Sequence, residues 1–255
     1  MLTYVAHMPH SPALLPKISR DKFRSFKKAA ASVEEIASDL YCRNIDTIIT
    51  ITPQGAGLKD AFVLNSSPKY RSYFGHLADF ATKKNFDGDT TLAYYIRAEL
   101  CSRFPIKSAT QEKLDGASST AMIQITKNKQ YKILPLTYSL DETIRIFEFG
   151  KNLRDAIENV AKKIAVISLG DMARTSKRTA SQGKALDKIL IDKLHGENPS
   201  SLVDHKISEI DSFRVCGYRP LALVLGLLNG MNYKTDVLNY EQRLGVGMMV
   251  ARFAF

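Results

Sequence analysis

The apolar residues of this chain change their spacing along its length, from helical to strand-like and back. Between Phe23 and Leu40 they recur on one helical face, whereas residues 46–51 (Asp-Thr-Ile-Ile-Thr-Ile) form a continuous β-branched run. The first spacing predicts an amphipathic helix. The second predicts a strand that is covered on both sides.

The same two kinds of pattern alternate to the C-terminus. They predict strands at residues 2–5, 132–136, 164–169, 234–240 and 245–255, and helices at residues 89–103, 141–163 (one or two helices), 183–194, 202–213 and 220–228. Residues 119–125 fit either type. Asp89 is the expected N-cap of its helix, and Asn229-Gly230 is the expected end of the last one. We therefore expect a single α/β domain over residues 1–255, with a largely buried, mixed central sheet flanked by helices in three layers.

The composition fits a globular protein. Apolar residues make up 45% of the chain and charged residues 24%, both ordinary values. No apolar run approaches the length of a membrane span, and the N-terminus lacks the basic and apolar regions of a signal peptide. Cys42, Cys101 and Cys216 are widely spaced, which predicts reduced thiols rather than a metal knuckle. These features predict a cytoplasmic protein that does not contact a membrane.

The net charge of +10 raises the question of nucleic-acid binding. Lysines and arginines are spread over most of the chain, and no known nucleic-acid motif is present, so specific nucleic-acid binding is not expected. The densest basic groups are residues 17–28 and residues 174–178 (Arg-Thr-Ser-Lys-Arg). Such charge suits an acidic small ligand equally well.

Residues 6–16 (Ala-His-Met-Pro-His-Ser-Pro-Ala-Leu-Leu-Pro) carry two of the five histidines, just after the first predicted strand. The prolines hold this segment extended. A histidine on a stiff loop at a strand end can be a metal ligand or a base, or it can simply hydrogen-bond to backbone. Ligands of α/β sheets bind where loops leave the carboxyl ends of strands. Four such loops or strand ends carry the chemically interesting residues, which argues for a site there: residues 7–12, 53–57, 170–174 and 240–241.

Five short motifs in these and later segments resemble those of the class III extradiol ring-cleavage dioxygenase B-subunit family. This family includes the protocatechuate ring-opening dioxygenase β subunit and the AmmeMemoRadiSam system protein B group. The motifs are residues 8–12 (Met-Pro-His-Ser-Pro), 52–55 (Thr-Pro-Gln-Gly), 169–174 (Leu-Gly-Asp-Met-Ala-Arg), 216–220 (Cys-Gly-Tyr-Arg-Pro) and 240–247 (Tyr-Glu-Gln-Arg-Leu-Gly-Val-Gly). They follow the family's order over nearly the whole chain. The resemblance implies the three-layer α/β fold of these extradiol dioxygenases.

The resemblance also implies a metal site. The family holds Fe(II) with two histidines and a glutamate, and a further histidine serves as acid and base toward a catechol-type substrate. Carried over by position, the metal ligands fall on His10, Gln54 and Glu241, and the acid-base histidine falls on Arg174. Fe(II) is the implied metal, with Zn(II) as an alternative. A further family histidine is absent after Leu114-Asp115.

Gln54 and Arg174 are departures from the family pattern that bear on catalysis. A glutamine offers a neutral carbonyl oxygen in place of an imidazole nitrogen, which is a poorer ligand for Fe(II) or Zn(II). An arginine is charged at all working pH values and cannot accept a proton. We therefore expect a divergent family member that lacks ordinary Fe(II)-dependent ring cleavage.

Two other functions stay open at this point. One is an active metal-dependent oxidoreductase on a catechol-like aromatic, with His7 or Asp171 as proton carrier. The other is a non-catalytic protein that forms a homo-oligomer, pairs with a homologous active subunit, or binds a small aromatic or anionic ligand at Arg174, Lys177 and Arg178. The structural alternatives are a His7 in the core, an Asp171 that caps an element or pairs with Arg174, and a solvated basic face.

Overall fold

The β-branched run of the sequence becomes a central strand of one large sheet. The fold is given by a computed structural model that describes residues 1–55, 57–77, 79–127, 129–140, 142–195 and 198–255, without the side chains of Lys22, His76 and Pro199. Ala56, in the predicted loop 53–57, and Asp141, at the start of the predicted helix 141–163, lie outside the described residues.

The described residues form ten strands in this sheet. The strands are β1 (Leu2–Met8), β2 (Thr47–Thr52), β3 (Phe62–Asn65), β4 (Lys69–Arg71), β5 (Asn85–Gly88), β6 (Ile106–Ala109), β7 (Lys132–Thr137), β8 (Ile164–Leu169), β9 (Lys234–Arg243) and β10 (Val246–Ala254). The main order is β4-β5-β7-β2-β8-β1-β10-β9, and β3 joins β7 to β6. Strands β7, β2, β8 and β1 run parallel, whereas β10 and β9 are antiparallel to their neighbours.

Helices cover both faces of the sheet, which confirms the three-layer α/β prediction. They are α1 (Pro16–Ser19), α2 (Lys27–Cys42), α3 (Thr90–Leu100), α4 (Gly116–Ile125), α5 (Thr143–Glu158), α6 (Ala180–His195), α7 (Ile207–Ser212) and α8 (Tyr218–Leu228), with 3-10 turns at Pro12–Leu14, Arg20–Phe26, Gly75–Leu77 and Pro199–Leu202. No helix among the described ranges is both long enough and apolar enough to cross a membrane.

Alternate residues of the central strands pack on opposite faces, as the pleat of a strand requires. On β2, Ile49 and Ile51 join the apolar cluster under α3, α5 and α8. The intervening Ile48 joins a second cluster under α2 and α4. The continuous apolar run of this strand is therefore explained by burial on both faces.

The predicted N-cap Asp89 is confirmed and also ties α3 to the sheet. Its carboxylate accepts a hydrogen bond from the Leu92 N–H at 3.0 Å and another from the Thr47 hydroxyl at 2.7 Å. The Lys162 ammonium lies 2.7 Å from the same group. The helix is fixed by a buried, fully partnered carboxylate rather than by apolar packing alone.

Several predicted boundaries differ from the structure. The helical pattern that starts at Phe23 begins as a 3-10 turn and becomes α-helix only at Lys27. Within residues 202–213 only Ile207–Ser212 is α-helical, and residues 119–125 belong to the helix α4. Strand β9 continues through residue 243, so Tyr240 and Glu241 lie inside a strand rather than at its end.

The parallel strands bring three of the expected loops to one edge of the sheet. Strand β8 lies between β1 and β2 and runs parallel to both. The carboxyl ends of the three strands are therefore adjacent. Residues 9–11, 53–55 and 170–174 leave the sheet side by side at this edge.

Helix α6 is joined to β9 by a buried acid. Asp187 has no exposed surface, and its two oxygens accept hydrogen bonds from the Ala173 N–H at 2.8 Å and the Tyr240 hydroxyl at 2.8 Å. Burial outweighs these contacts and raises the pKa of Asp187 from 3.8 to about 6. The folded protein therefore holds the proton of this carboxyl more tightly than the unfolded chain does.

This raised pKa predicts a stability difference that depends on pH. The contribution of Asp187 to the free energy of unfolding is largest below about pH 4. It is lost as the pH rises to about 6, because between these two values only the folded state keeps the proton. The substitution Asp187→Asn removes the charge; the amide oxygen still accepts from the Ala173 N–H, and the amide nitrogen donates to the Tyr240 hydroxyl, which becomes the acceptor. We expect the free energy of unfolding of the variant, measured with urea, to rise by roughly 2–3 kcal/mol relative to that of the parent between pH 4 and pH 7.

The matched control for this experiment is Asp192→Asn, at an exposed position of the same helix. Its free energy of unfolding should equal that of the parent protein at every pH. Parallel pH profiles for the parent and Asp187→Asn would contradict the assignment.

Candidate metal centre

The loop after β1 fixes His10 within the protein. Pro9 and Pro12 flank it, and Ser11 caps the 3-10 turn Pro12–Leu14 by accepting a hydrogen bond from the Ala13 N–H at 3.3 Å. The side chain of His10 is only 4% exposed. The imidazole is therefore held in one place by a stiff segment with few conformations.

The loop after β8 is held against the start of α8 by a close backbone approach. A Cβ atom at Gly170 would lie 2.2 Å from the Cα of Gly217, so only glycine fits. The Gly217 N–H donates to the Asp171 carbonyl at 2.9 Å, and the Gly170 N–H donates to the Met8 carbonyl at 3.1 Å. This approach places Cys216 directly beside Asp171, whose N–H lies 3.2 Å from the Cys216 sulfur.

These loops bring together an imidazole, a carboxyl group and a thiol, called here the His10–Asp171–Cys216 cluster. The His10 Nε2 lies 3.1 Å from the Cys216 Sγ and 3.7 Å from the Asp171 Oδ2. One ligand atom from each residue falls within 4.8 Å of the others. The second oxygen of Asp171, Oδ1, is buried without a hydrogen-bond partner among the described residues. A buried oxygen of this kind is suited to a cation.

Gln54 contacts the opposite side of the same imidazole. Its amide nitrogen lies 3.4 Å from the His10 Nδ1. The two orientations of a glutamine amide exchange its oxygen and nitrogen. With the oxygen toward Nδ1, Gln54 accepts the Nδ1 proton and leaves the Nε2 lone pair directed at Cys216 and Asp171. In metal sites this is the usual role of the group that orients a histidine ligand.

Arg174 lies at the edge of the cluster and pairs with Asp171, which confirms one of the structural alternatives. Its Nη2 donates to the Asp171 Oδ2 at 3.2 Å, and its side chain is 47% exposed. The guanidinium can therefore reach both the cluster and solvent. Lys177 and Arg178 are exposed on the following turn.

Glu241, the expected carboxylate ligand, is engaged in contacts outside the cluster, and its role as a metal ligand stays a prediction. Its Oε1 accepts a hydrogen bond from the Ala29 N–H at 3.3 Å, and its Oε2 lies 3.5 Å from the Arg243 Nε. Ala29 is in the first turn of α2, where backbone N–H groups lack helical partners. The carboxylate therefore stabilises a helix N-terminus, and both contacts would have to break before it could bind a metal beside His10.

His7 lies in the core beneath the site. It has no exposed surface, and its Nδ1 is 2.8 Å from the Ser168 hydroxyl. Burial lowers the pKa of His7 to about 3, and the neighbouring His10 adds to the effect. A neutral, enclosed imidazole of this kind packs under Gly217, and its role as a proton carrier stays a prediction.

Cys216 is the cluster residue that the sequence did not single out. Its spacing from Cys42 and Cys101 suggests only a reduced thiol, although it opens one of the five family motifs. Burial and the carboxylate of Asp171 raise the pKa of Cys216 to about 11. Burial also raises the pKa of Tyr138, just after β7, with a contribution from Cys216. A bound cation would reverse the preference of the thiol for its proton.

The backbone contact at Gly170 predicts a strong effect of a single methyl group. Gly170→Ala should lower the free energy of unfolding by roughly 1–3 kcal/mol, because the added Cβ meets backbone that cannot rotate away. It should also increase the rate at which iodoacetamide modifies Cys216. The control is Gly57→Ala, whose Cβ would make an ordinary 3.6 Å contact with the Thr137 methyl group. Equal effects of the two substitutions would contradict the inferred contact.

Comparison with known proteins adds independent information on ancestry. Protein CA_C1420 from Clostridium acetobutylicum is 26% identical over 269 residues, covering 96% of this chain and 56% of that protein. A MEMO1 family protein from Methanosarcina mazei is 28% identical over 103 residues, covering 40% of this chain and 37% of that protein. The chain thus spans just over half of the length of the first relative, and its match to the second covers little more than a third of that protein.

The fold is also found in a solved structure, that of uncharacterized protein JW3007 from Escherichia coli K12. The two structures share a TM-score of 0.70 over 99% of this chain and 100% of that chain, at 14% sequence identity. The family model for the catalytic LigB subunit of aromatic ring-opening dioxygenases matches residues 4–251. This match covers nearly the whole chain and confirms the resemblance drawn from the five motifs. The chain belongs to the family of the catalytic LigB subunit of aromatic ring-opening dioxygenases.

Proposed function

We propose that this protein is a divergent LigB-family member that binds a transition metal at the His10–Asp171–Cys216 cluster and does not cleave aromatic rings. The observation that carries the proposal is the arrangement around His10. Its Nε2 faces a thiol at 3.1 Å and a carboxylate at 3.7 Å, while its Nδ1 faces the Gln54 amide at 3.4 Å. Gln54 is then an orienting residue rather than a ligand.

The donor set favours Zn(II) over Fe(II). Zinc accepts nitrogen, sulfur and carboxylate oxygen from three residues and leaves a fourth position open. The two-histidine, one-carboxylate set of non-haem Fe(II) would require Gln54 and Glu241 as ligands. Gln54 has no imidazole, and Glu241 is engaged with Ala29 and Arg243. A bound zinc would supply Lewis acidity toward an oxygen atom of a ligand or of water.

The side chains near the cluster supply binding rather than proton transfer. Arg174 is half exposed beside Asp171 and can donate charge-assisted hydrogen bonds to a small anionic or acidic aromatic ligand. It cannot accept a proton from that ligand. His7, with a pKa of about 3 and no exposed surface, is a poor base toward a ligand. These properties support loss of ring cleavage with retention of a binding site.

Metal binding is tested by titrating the chelator-treated protein with Zn(II) in a calorimeter. We expect Cys216→Ser and His10→Ala to abolish the tight phase, because each removes a direct ligand. Gln54→Ala should lower the affinity for zinc by roughly 10-fold, since this substitution removes only the orienting group. Glu241→Gln is the matched control and should bind zinc as the parent does. A larger loss with Glu241→Gln than with Cys216→Ser would overturn the proposed ligand set.

Loss of ring cleavage is tested by oxygen uptake with a panel of catechols and aminophenols in the presence of Fe(II). The parent protein should consume no oxygen above the metal-only blank. Gln54→His should remain inactive as well, because position 54 faces the Nδ1 of His10 and not its Nε2, and because Arg174 still replaces the acid-base histidine. Sustained turnover by the parent protein would refute this part of the proposal and favour an active dioxygenase.

A further inference from the structure

The backbone that carries Arg174 is fixed at two points. Its own N–H donates to the Phe213 carbonyl at 2.7 Å, and the N–H of Thr175 donates to the Gly245 carbonyl at 2.8 Å. The guanidinium extends from this fixed base to the carboxylate of Asp171. A side chain that is already positioned in this way loses less conformational entropy when it binds a ligand.

Most hydrogen-bond donors of this guanidinium are unused. Nη2 donates to the Asp171 Oδ2 at 3.2 Å, and no other acceptor in the described ranges contacts the Arg174 side chain, which is 47% exposed. The N–H groups of an arginine form a planar fork that matches the two oxygens of a carboxylate. Arg174 can therefore stay paired with Asp171 and bind a second carboxylate from solvent.

Asp171 brings this guanidinium close to the metal-binding atoms. Its Oδ2 lies 3.7 Å from the His10 Nε2 and 3.2 Å from the Arg174 Nη2, so these two nitrogens are at most about 7 Å apart. The other oxygen, Oδ1, is buried and has no hydrogen-bond partner in the part of the chain that the structure describes. A metal can therefore use Oδ1 while Oδ2 remains with Arg174. One carboxyl group of a ligand is long enough to contact both the metal and the guanidinium.

A divalent metal in this cluster leaves one positive charge without compensation. The charge of Zn(II) is balanced by the Cys216 thiolate and the Asp171 carboxylate, whereas His10 is a neutral ligand. The guanidinium of Arg174 adds a further positive charge, and Asp171 is the only described acid within 4.0 Å of it. Asp171 is 1% exposed and His10 is 4% exposed, so water screens this charge poorly. A monovalent anion that contacts both cations would restore neutrality.

We propose that the ligand of this site is a small carboxylic acid, whose carboxylate occupies the open metal position and accepts hydrogen bonds from Arg174. The inference rests on the proposed metal site and adds a ligand class and a mutual dependence. The metal and the carboxylate each bind weakly alone, because either one alone leaves a charge uncompensated. By thermodynamic linkage, each raises the affinity for the other by the same factor.

The test titrates the full, chelator-treated chain with Zn(II) in a calorimeter, at one pH and one ionic strength, with chloride or acetate as the anion. Zinc should bind roughly 10-fold more tightly in acetate, because acetate supplies both the charge and the planar pair of oxygens. Acetamide added to the chloride buffer has the shape of acetate without its charge. It should leave the affinity for zinc unchanged.

Three variants assign the effect to the guanidinium. Arg174→Met should bind zinc equally in the two anions, and at least as tightly as the parent does in chloride, because it removes both the repulsion and the anion contact. Arg174→Lys keeps the charge without the planar fork and should lose most of the preference for acetate. Lys184→Met is the matched control, since it removes one charge at an exposed position of α6. It should keep the preference of the parent.

The outcomes separate this inference from the proposed metal site. Failure of the parent to bind zinc in either anion would overturn both. Tight binding of zinc with equal affinity in acetate and chloride would leave the metal site standing and overturn the carboxylate ligand, with metal-bound hydroxide as the compensating anion. A preference for acetate that survives Arg174→Met would also overturn the inference, because the anion would then bind elsewhere.

Discussion

The candidate site depends on one close contact between two stretches of backbone. Gly170, at the end of β8, lies so near Gly217 that a side chain at Gly170 does not fit. The contact presses the start of α8 against the edge of the sheet, and Cys216 thereby reaches His10 and Asp171. The geometry of the cluster is therefore set by packing between the helical layer and the sheet, and only secondarily by the loops that carry its residues.

The parts of the fold with strong local signals could be predicted from the sequence. The run at residues 164–169 forms β8 without any change of boundary, and Asp89 caps α3 as expected. Strands β3, β4, β5 and β6 have only three or four residues each, too few to establish a period of two. They form because neighbouring strands offer unpaired backbone groups, which is a tertiary effect.

The candidate site was predictable only in part, because some of its contacts are also tertiary effects. His10, Gln54 and Asp171 follow strands, and the rule that parallel strands end at one edge brings them together. The contact between Asp171 and Cys216 joins positions 45 residues apart and arises from the docking of α8. The contact of Glu241 with α2 could not be predicted, because it depends on β9 running on to Arg243 and carrying the carboxylate to the first turn of α2. No local sequence pattern indicates the docking of α8 or the contact between Glu241 and α2.

The engagement of Glu241 with α2 has a consequence for any redesign of this site with two histidines and a glutamate. A substitution of Gln54 by histidine adds an imidazole, but it does not release the Glu241 carboxylate from the Ala29 N–H or from Arg243. Release of Glu241 would need changes in α2 as well, and these would remove a contact that stabilises the helix N-terminus. The N-terminus of α2 and the availability of the Glu241 carboxylate are therefore coupled, so one substitution at position 54 does not create a site with two histidines and a glutamate.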